Sequence, residues 1–153
     1  MPLAELNIAA PKFPLDDPRI ADFANNMMRV SSLAEIMPGF RWRFLDQPKG
    51  HSDYQPSPWP NTIATMSVWD SAEDLHHFVW NTVHKTFYNR KAEWFDAMEA
   101  HHFVMWHVED GHHPTLAEAK ARLDHLNENG DSDFAFGWSH LPPNKRLRAQ
   151  QCD

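Results

Sequence analysis

One cysteine, five glycines and no long apolar run are what this chain has least of. The lone thiol, Cys152, sits in a polar C-terminal stretch and closes no internal disulfide, which fits a reducing cytoplasm. No apolar run approaches the ~18 residues of a membrane span. The opening residues Met1–Ala4 lack a basic segment followed by a hydrophobic one, so neither a membrane anchor nor a secretory leader is expected. Positive charge is scarce as well: 14 Lys and Arg face 21 Asp and Glu, a formal net charge of −7. Phosphate backbones are gripped by clustered cations, so no nucleic-acid partner is expected. A Gly-rich phosphate loop, a nucleophile elbow and an ordered Ser/His/Asp set are all missing. Nucleotide-cofactor and hydrolase chemistry therefore have little footing.

What is present is aromatic and histidine-rich. Aromatics make up 12% of the 153 residues, with seven Trp, and there are eleven His. A chain of this length forms one domain and buries roughly two-thirds of its unfolded surface. We place that domain at residues 1–140, followed by a flexible polar tail at 141–153.

Leu3–Ala9 reads as a first strand, stopped by Pro11 and Pro14. Asp17 followed by Pro18 is a helix start, because proline at the first helical position loses no hydrogen bond. Ile20, Phe23, Ala24, Met27, Ala34 and Met37 keep helical spacing up to Pro38 and Gly39. Phe40, Trp42 and Phe44 alternate with Arg41 and Arg43, which predicts a strand with one apolar face. Residues 46–60 carry Pro48, Pro56, Pro58 and Pro60 in a long irregular loop of the kind that covers or builds a site. Residues 62–69 form a nearly continuous apolar strand. Ser71 and Asp74 then make a capping pattern for a helix whose core stripe is Leu75, Val79, Val83 and Phe87. Residues 102–108 alternate again, with Val104, Trp106 and Val108 on one side and Phe103, Met105 and His107 on the other. Thr115 and Glu118 open a last helix with Leu116, Ala119, Leu123 and Leu126 inward, stopped by Gly130. Phe134, Phe136 and Trp138 alternate as a short final strand.

The predicted class is α+β: a ferredoxin-like antiparallel sheet with its helices on one face, plus an extra C-terminal helix and short strand. Large apolar residues occur at both parities of several strands, so the second sheet face also needs cover. A homodimer packing sheet against sheet is expected to provide it.

From Ser67 to Phe95 the run Ser67, Val68, Trp69, Asp70, Ser71, Glu73, Asp74 and Leu75, then His84 and Arg90 to Phe95, resembles the dimeric α+β-barrel superfamily of antibiotic-biosynthesis-type monooxygenases and haem-degrading enzymes. Four further blocks occur in the same order: Ala4–Ala9, Leu15–Arg19, Pro38–Arg43 and Gly111–Thr115. Together they are similar to domain-of-unknown-function family number 3291 over residues 3–138. The superfamily resemblance implies a homodimer with a cavity between each sheet and its covering helices. It also implies small-molecule chemistry, placed in secondary metabolism. Fold alone carries no function, and the family description transfers little chemistry.

His84 is the leading candidate. On a helical wheel it borders the apolar stripe beside Trp80, Phe87 and Tyr88, where burial would bring an imidazole pKa toward the range useful for proton transfer. The plainer alternative is a structural histidine bonded to backbone or solvent. The doublets His76–His77, His101–His102 and His112–His113 do not make a metal site. Adjacent helix residues diverge by about 100°, and His77 and His84 stand roughly 10 Å apart. Arg41 on its strand is a candidate for holding a substrate oxygen through a forked contact, against ordinary ion pairing, which is favoured along with Arg43. Trp69, Trp106 and Phe103 are candidate pocket walls, although aromatics at strand spacing are more often core. Asn7, His107, Arg90 and Trp94 complete the set.

The expected function is a small-molecule enzyme with an aromatic-lined apolar pocket. It would carry out cofactor-independent oxygenation, or a proton transfer such as cyclisation, dehydration or isomerisation, on an aromatic or polyketide-like compound. His84 would move the proton, while Tyr88 or Arg41 orients an oxygen. No cofactor is required by this reading. The resemblance leaves open haem with His84 as axial ligand, and a non-catalytic binding protein for an apolar ligand is the other alternative.

Overall fold

A computed structural model describes residues 1–47, 49–81, 83–98 and 100–141, without the side chains of Val83 and His84. The strands are β1 (Leu3–Ala9), β2 (Phe40–Arg43), β3 (Ile63–Trp69) and β4 (Phe103–His107). The helices are α1 (Ala21–Leu33), α2 (Ala72–Asn81), α3 (Val83–Asn89), α4 (Lys91–Trp94) and α5 (Leu116–Asn129). The four strands pair in the order β2-β3-β1-β4, every pair antiparallel. With α1 between β1 and β2 and α2–α4 between β3 and β4, this is the ferredoxin-like arrangement predicted from the alternating patterns.

The sheet's two faces follow the period-two rule along β1. Ala4, Leu6 and Ile8 join Met66, Val68, Val104 and Trp106 on one face, in a single buried cluster with Leu116, Ala119, Leu123 and Leu126 of α5. Leu3 joins Trp69, Met105 and Phe136 on the other, against Ala72, Leu75 and Phe78 of α2 and Ala34 at the end of α1. Helices therefore cover both faces, which corrects the expectation of helices on one side only. The last amphipathic helix crosses to the face that a second sheet was expected to occupy. Trp59 and Gln55 of the Pro-rich loop lie on that side too: Trp59 packs on the cluster, and Gln55 Oε1 accepts from the Leu116 backbone N–H at 2.8 Å, satisfying one open donor at the start of α5.

Local chemistry sets the element ends. Ser71 Oγ accepts from the Asp74 N–H at 3.2 Å and donates to Asp74 Oδ2 at 2.9 Å, closing the first turn of α2. Gly39 turns the chain into β2 with φ of +84°, and a Cβ there would lie 2.3 Å from the Asp74 carboxyl carbon, so only glycine fits. Thr115 Oγ1 caps α5 by accepting from the Glu118 N–H at 3.1 Å. The Glu118 carboxylate does not reach back to complete the predicted box. It accepts instead from Trp106 Nε1 at 2.9 Å, and its other oxygen lies 2.7 Å from His112 Nε2.

Two further expectations change. The row Phe40, Trp42, Phe44 does not share one face: a register shift between Phe40 and Trp42 sends Phe40 to the α2 side and Trp42 and Phe44 to the α5 side. The short final strand is a single bridge, Phe136 to Met105, followed by a tight turn at Trp138–His140. Beyond the bridge Phe103 and Trp138 stack ring on ring, at 5.5 Å and 13°. Apart from Leu141, the predicted tail at 141–153 lies outside the described residues. Among the described residues no helix is long and apolar enough to cross a membrane.

Candidate functional site

A cavity of about 390 Å³ opens between α1, α3, α4 and the edge of the sheet where β1 ends. Its apolar wall includes Phe23, Met27 and Val30 from α1, and Phe87 and Trp94 from α3 and α4. The helical spacing of Phe23, Met27 and Val30 is what turns them together toward the sheet. Trp94 is buried and sits 5.6 Å from Phe23 and 5.9 Å from Phe87, measured between ring centres, so the wall is a contiguous aromatic surface.

Two polar pairs break that surface. On the sheet side, His102 Nδ1 lies 3.2 Å from Asn7 Oδ1, and both residues line the cavity. An amide oxygen only accepts, so Nδ1 carries the proton and Nε2 keeps its lone pair. Burial lowers the His102 pKa below the ordinary histidine value, and the Lys91 ammonium pushes it the same way. Both effects favour the neutral ring. On the helix side, Lys91 Nζ donates to Tyr88 Oη at 2.8 Å and lies 3.9 Å from the Tyr88 ring centre. The Tyr88 ring is held edge-on against Trp80, which is buried, at 4.7 Å. Asp96 is the carboxylate among the lining residues, on the exposed chain just after α4.

Of the residues singled out from sequence, Asn7, Phe87, Tyr88 and Trp94 meet at this cavity, with Trp80 directly behind Tyr88. His84 belongs to α3, but its side chain lies outside the described residues. The other candidates lie elsewhere. Arg41 is exposed and pairs with Asp70 and with Asp110, at 3.0 Å for the latter, and does not line the cavity. Arg43 turns toward α1, 2.8 Å from Glu35 Oε1. Trp106 faces α5 on the opposite side of the sheet. Trp69 shares the cavity's sheet face but is wholly buried between Phe40 and Phe78. Phe103 stacks on Trp138, and His107 sits 5.5 Å from Phe136, beyond the cavity's lining. Arg90 bridges Asp22 of α1 and Glu93 of α4 at 3.1 and 2.8 Å, tying together the two elements that flank the opening. Gln55 and Trp59 of the Pro-rich loop sit on the far face, and none of the loop's described residues lines this cavity.

His102 and Lys91 carry the polar chemistry, and sequence reasoning missed both. Counting alternation back from Phe103 puts His102 on the α5 side. It lies one residue before β4, where its carbonyl still accepts from the Ile8 N–H at 2.9 Å, but its ring reaches Asn7. Lys91 is three residues beyond Tyr88, across the short break between α3 and α4. Among the described residues no three His, Cys, Asp or Glu side chains assemble as metal ligands.

Near the cavity pair stands a buried acid. Glu5 precedes Asn7 on the same face of β1, accepts from Ser67 Oγ at 2.6 Å, and Ser67 Oγ in turn accepts from Trp69 Nε1 at 2.8 Å. Burial pushes its carboxyl up to about 7, opposed by the Ser67 hydrogen bond.

A family profile described as Domain of unknown function (DUF3291) matches residues 2–152, close to the span that the sequence blocks outline. No curated protein matches the chain.

Proposed function

Since this chain belongs to the DUF3291 family, whose description specifies no activity, we propose from its site that it is a small-molecule enzyme with His102 as the proton-transferring base. The observation that carries this is that two polar pairs, His102 with Asn7 and Tyr88 with Lys91, line one mainly apolar, aromatic-walled cavity, which Asn26, Ser31, Thr65 and Asp96 also reach. Such a cavity takes an apolar, planar compound and fixes it by a few polar contacts. A histidine held at Nδ1 and kept neutral is poised to accept a proton through Nε2. This assigns to His102 the role first expected of His84. Haem enters only if His84 supplies an axial nitrogen, and the proton-transfer reading uses nothing from that side chain.

The wider placement with the dimeric α+β barrels is part of the same proposal. Its support is the strand order and the cavity between sheet and helices. A homodimer in this chain would use a surface other than the one under α5. Cytoplasmic residence and a part in secondary metabolism rest on the lone Cys152 and on the resemblance, respectively.

Titration with naphthols and tetralones, followed by tryptophan fluorescence, tests the reading. Saturable one-to-one binding is expected, weakened about tenfold or more in Ala92→Trp, which fills the cavity from α4. In His102→Gln, binding should persist while turnover of any substrate found is lost by roughly a hundredfold or more. No saturable binding of either class, or equal binding by Ala92→Trp, overturns it. A Soret band in the purified protein would move the chemistry to haem.

A further inference from the structure

We propose that the pocket enolises a carbonyl compound bearing an acidic neighbouring C–H, with His102 taking the carbon-bound proton and Tyr88, backed by Lys91, protonating the carbonyl oxygen. This rests on the reading above and adds the substrate class and the partner of the base. The helix-side pair is what directs it. The Lys91 ammonium stands 2.8 Å from the Tyr88 oxygen, a fixed cation beside the atom that would give up its proton. Lys91, Tyr88, His102 and Asn7 all line the one cavity, so a single bound compound can meet both pairs, and the Lys91 charge is felt at His102. A base for carbon on one wall and an acid for oxygen on the other is the arrangement that proton abstraction beside a carbonyl needs.

The step balances without an oxidant. The C–H bond breaks, its proton passes to His102 Nε2, and its electron pair forms the C=C bond. The carbonyl π pair takes the Tyr88 hydroxyl proton, giving the enol, a Tyr88 phenolate beside Lys91 and an imidazolium beside Asn7. Return of the His102 proton to a different carbon of a conjugated system, with the enol proton going back to Tyr88, shifts a double bond. Return to the same carbon exchanges the hydrogen with solvent. The apolar wall built on Phe23, Phe87 and Trp94 suits a fused or conjugated ketone in place of a small acid.

Two probes test this on the full chain. The first is 2-naphthol, whose phenolate imitates the enolate. At neutral pH, where free naphthol is protonated, the bound form should absorb as naphtholate, and Lys91→Met should abolish that signal while the compound still binds. The second is 2-tetralone in D2O, with loss of its acidic C–H resonances followed by NMR. Exchange should exceed that in imidazole buffer by roughly a hundredfold and fall by a similar factor in His102→Gln and in Tyr88→Phe. Naphthol bound but neutral, together with tetralone exchanging at the buffer rate, overturns enolisation and leaves the pocket standing. Exchange that survives His102→Gln overturns the assignment of the base. Failure to bind either probe sinks the underlying reading as well. The naphthol spectrum needs only the unaltered protein, so a variant that folds poorly does not block the test.

Discussion

Glu5 is buried at 8% exposure with a single hydroxyl donating to it, and that environment favours its neutral form. Its folded pKa of about 7 stands above the ordinary carboxyl value of 4.5 expected of the unfolded chain. The unfolded chain therefore gives up this proton first as pH rises. The stability that the neutral carboxyl contributes is complete below about 4.5 and is lost as pH climbs through about 7. At roughly 1.4 kcal/mol per unit, the full loss is on the order of 3 kcal/mol. Urea unfolding at mildly acidic, neutral and mildly alkaline pH should show stability falling toward alkali. In Glu5→Gln that fall should be smaller by about this amount. An identical slope in both proteins would mean that Glu5 is ionised or wetted in the fold.

At the scale of elements, the turn before β2 is the most sharply constrained joint. Gly39 combines a left-handed φ with a Cβ position already filled by Asp74, which is itself held by the Ser71 cap. Gly39→Ala is expected to cost about 1–3 kcal/mol in backbone strain, plus whatever is lost when Asp74 moves and the first turn of α2 opens. Thermal melts of Gly39→Ala, Asp74→Ala and the double variant should be non-additive. In the Asp74→Ala background the glycine substitution should cost less, because the carboxyl contact at 2.3 Å is gone while the φ strain and the contact with the remaining Cβ, at 2.6 Å, persist. Additive losses would separate the turn from the cap. Such joints, with the strand alternation and the α5 stripe, were legible in the sequence because proline, glycine and capping residues act over a few residues. For Arg41 and Trp106 the sequence leaves pocket wall against ion pair or core open, for the opposite reason. Which sheet face a strand residue meets, and whether Asp110 or α5 waits there, depends on packing between segments distant in the chain. His102 was illegible on the same grounds: its partner Asn7 lies 95 positions away, across the β1–β4 ladder.

At the scale of the whole molecule, the placement of α5 decides what the chain needs from a second copy. Leu6, Val104 and Trp106 are fully buried within one chain, beneath Leu116, Leu123 and Leu126. A sheet-on-sheet dimer through this face would have to displace that helix. Displacing the helix would expose three leucines, each worth about 1.5–3 kcal/mol when buried. Leu123→Ala should then lower the unfolding free energy by about 2–5 kcal/mol, the usual cost of a cavity in a close-packed core. That loss should be the same at every protein concentration, because the contact is made within the chain. If a partner's sheet supplied the cover, stability would rise with concentration by mass action, and the loss in Leu123→Ala would change along the series. Equilibrium unfolding of both proteins over a hundredfold range of concentration, with sedimentation to fix the state of each sample, separates the two. A concentration-independent loss leaves the second face to α5. The cavity on the first face, closed by α1, α3 and α4 of the same chain, then forms in a single copy and binds its ligand with a stoichiometry of one per chain.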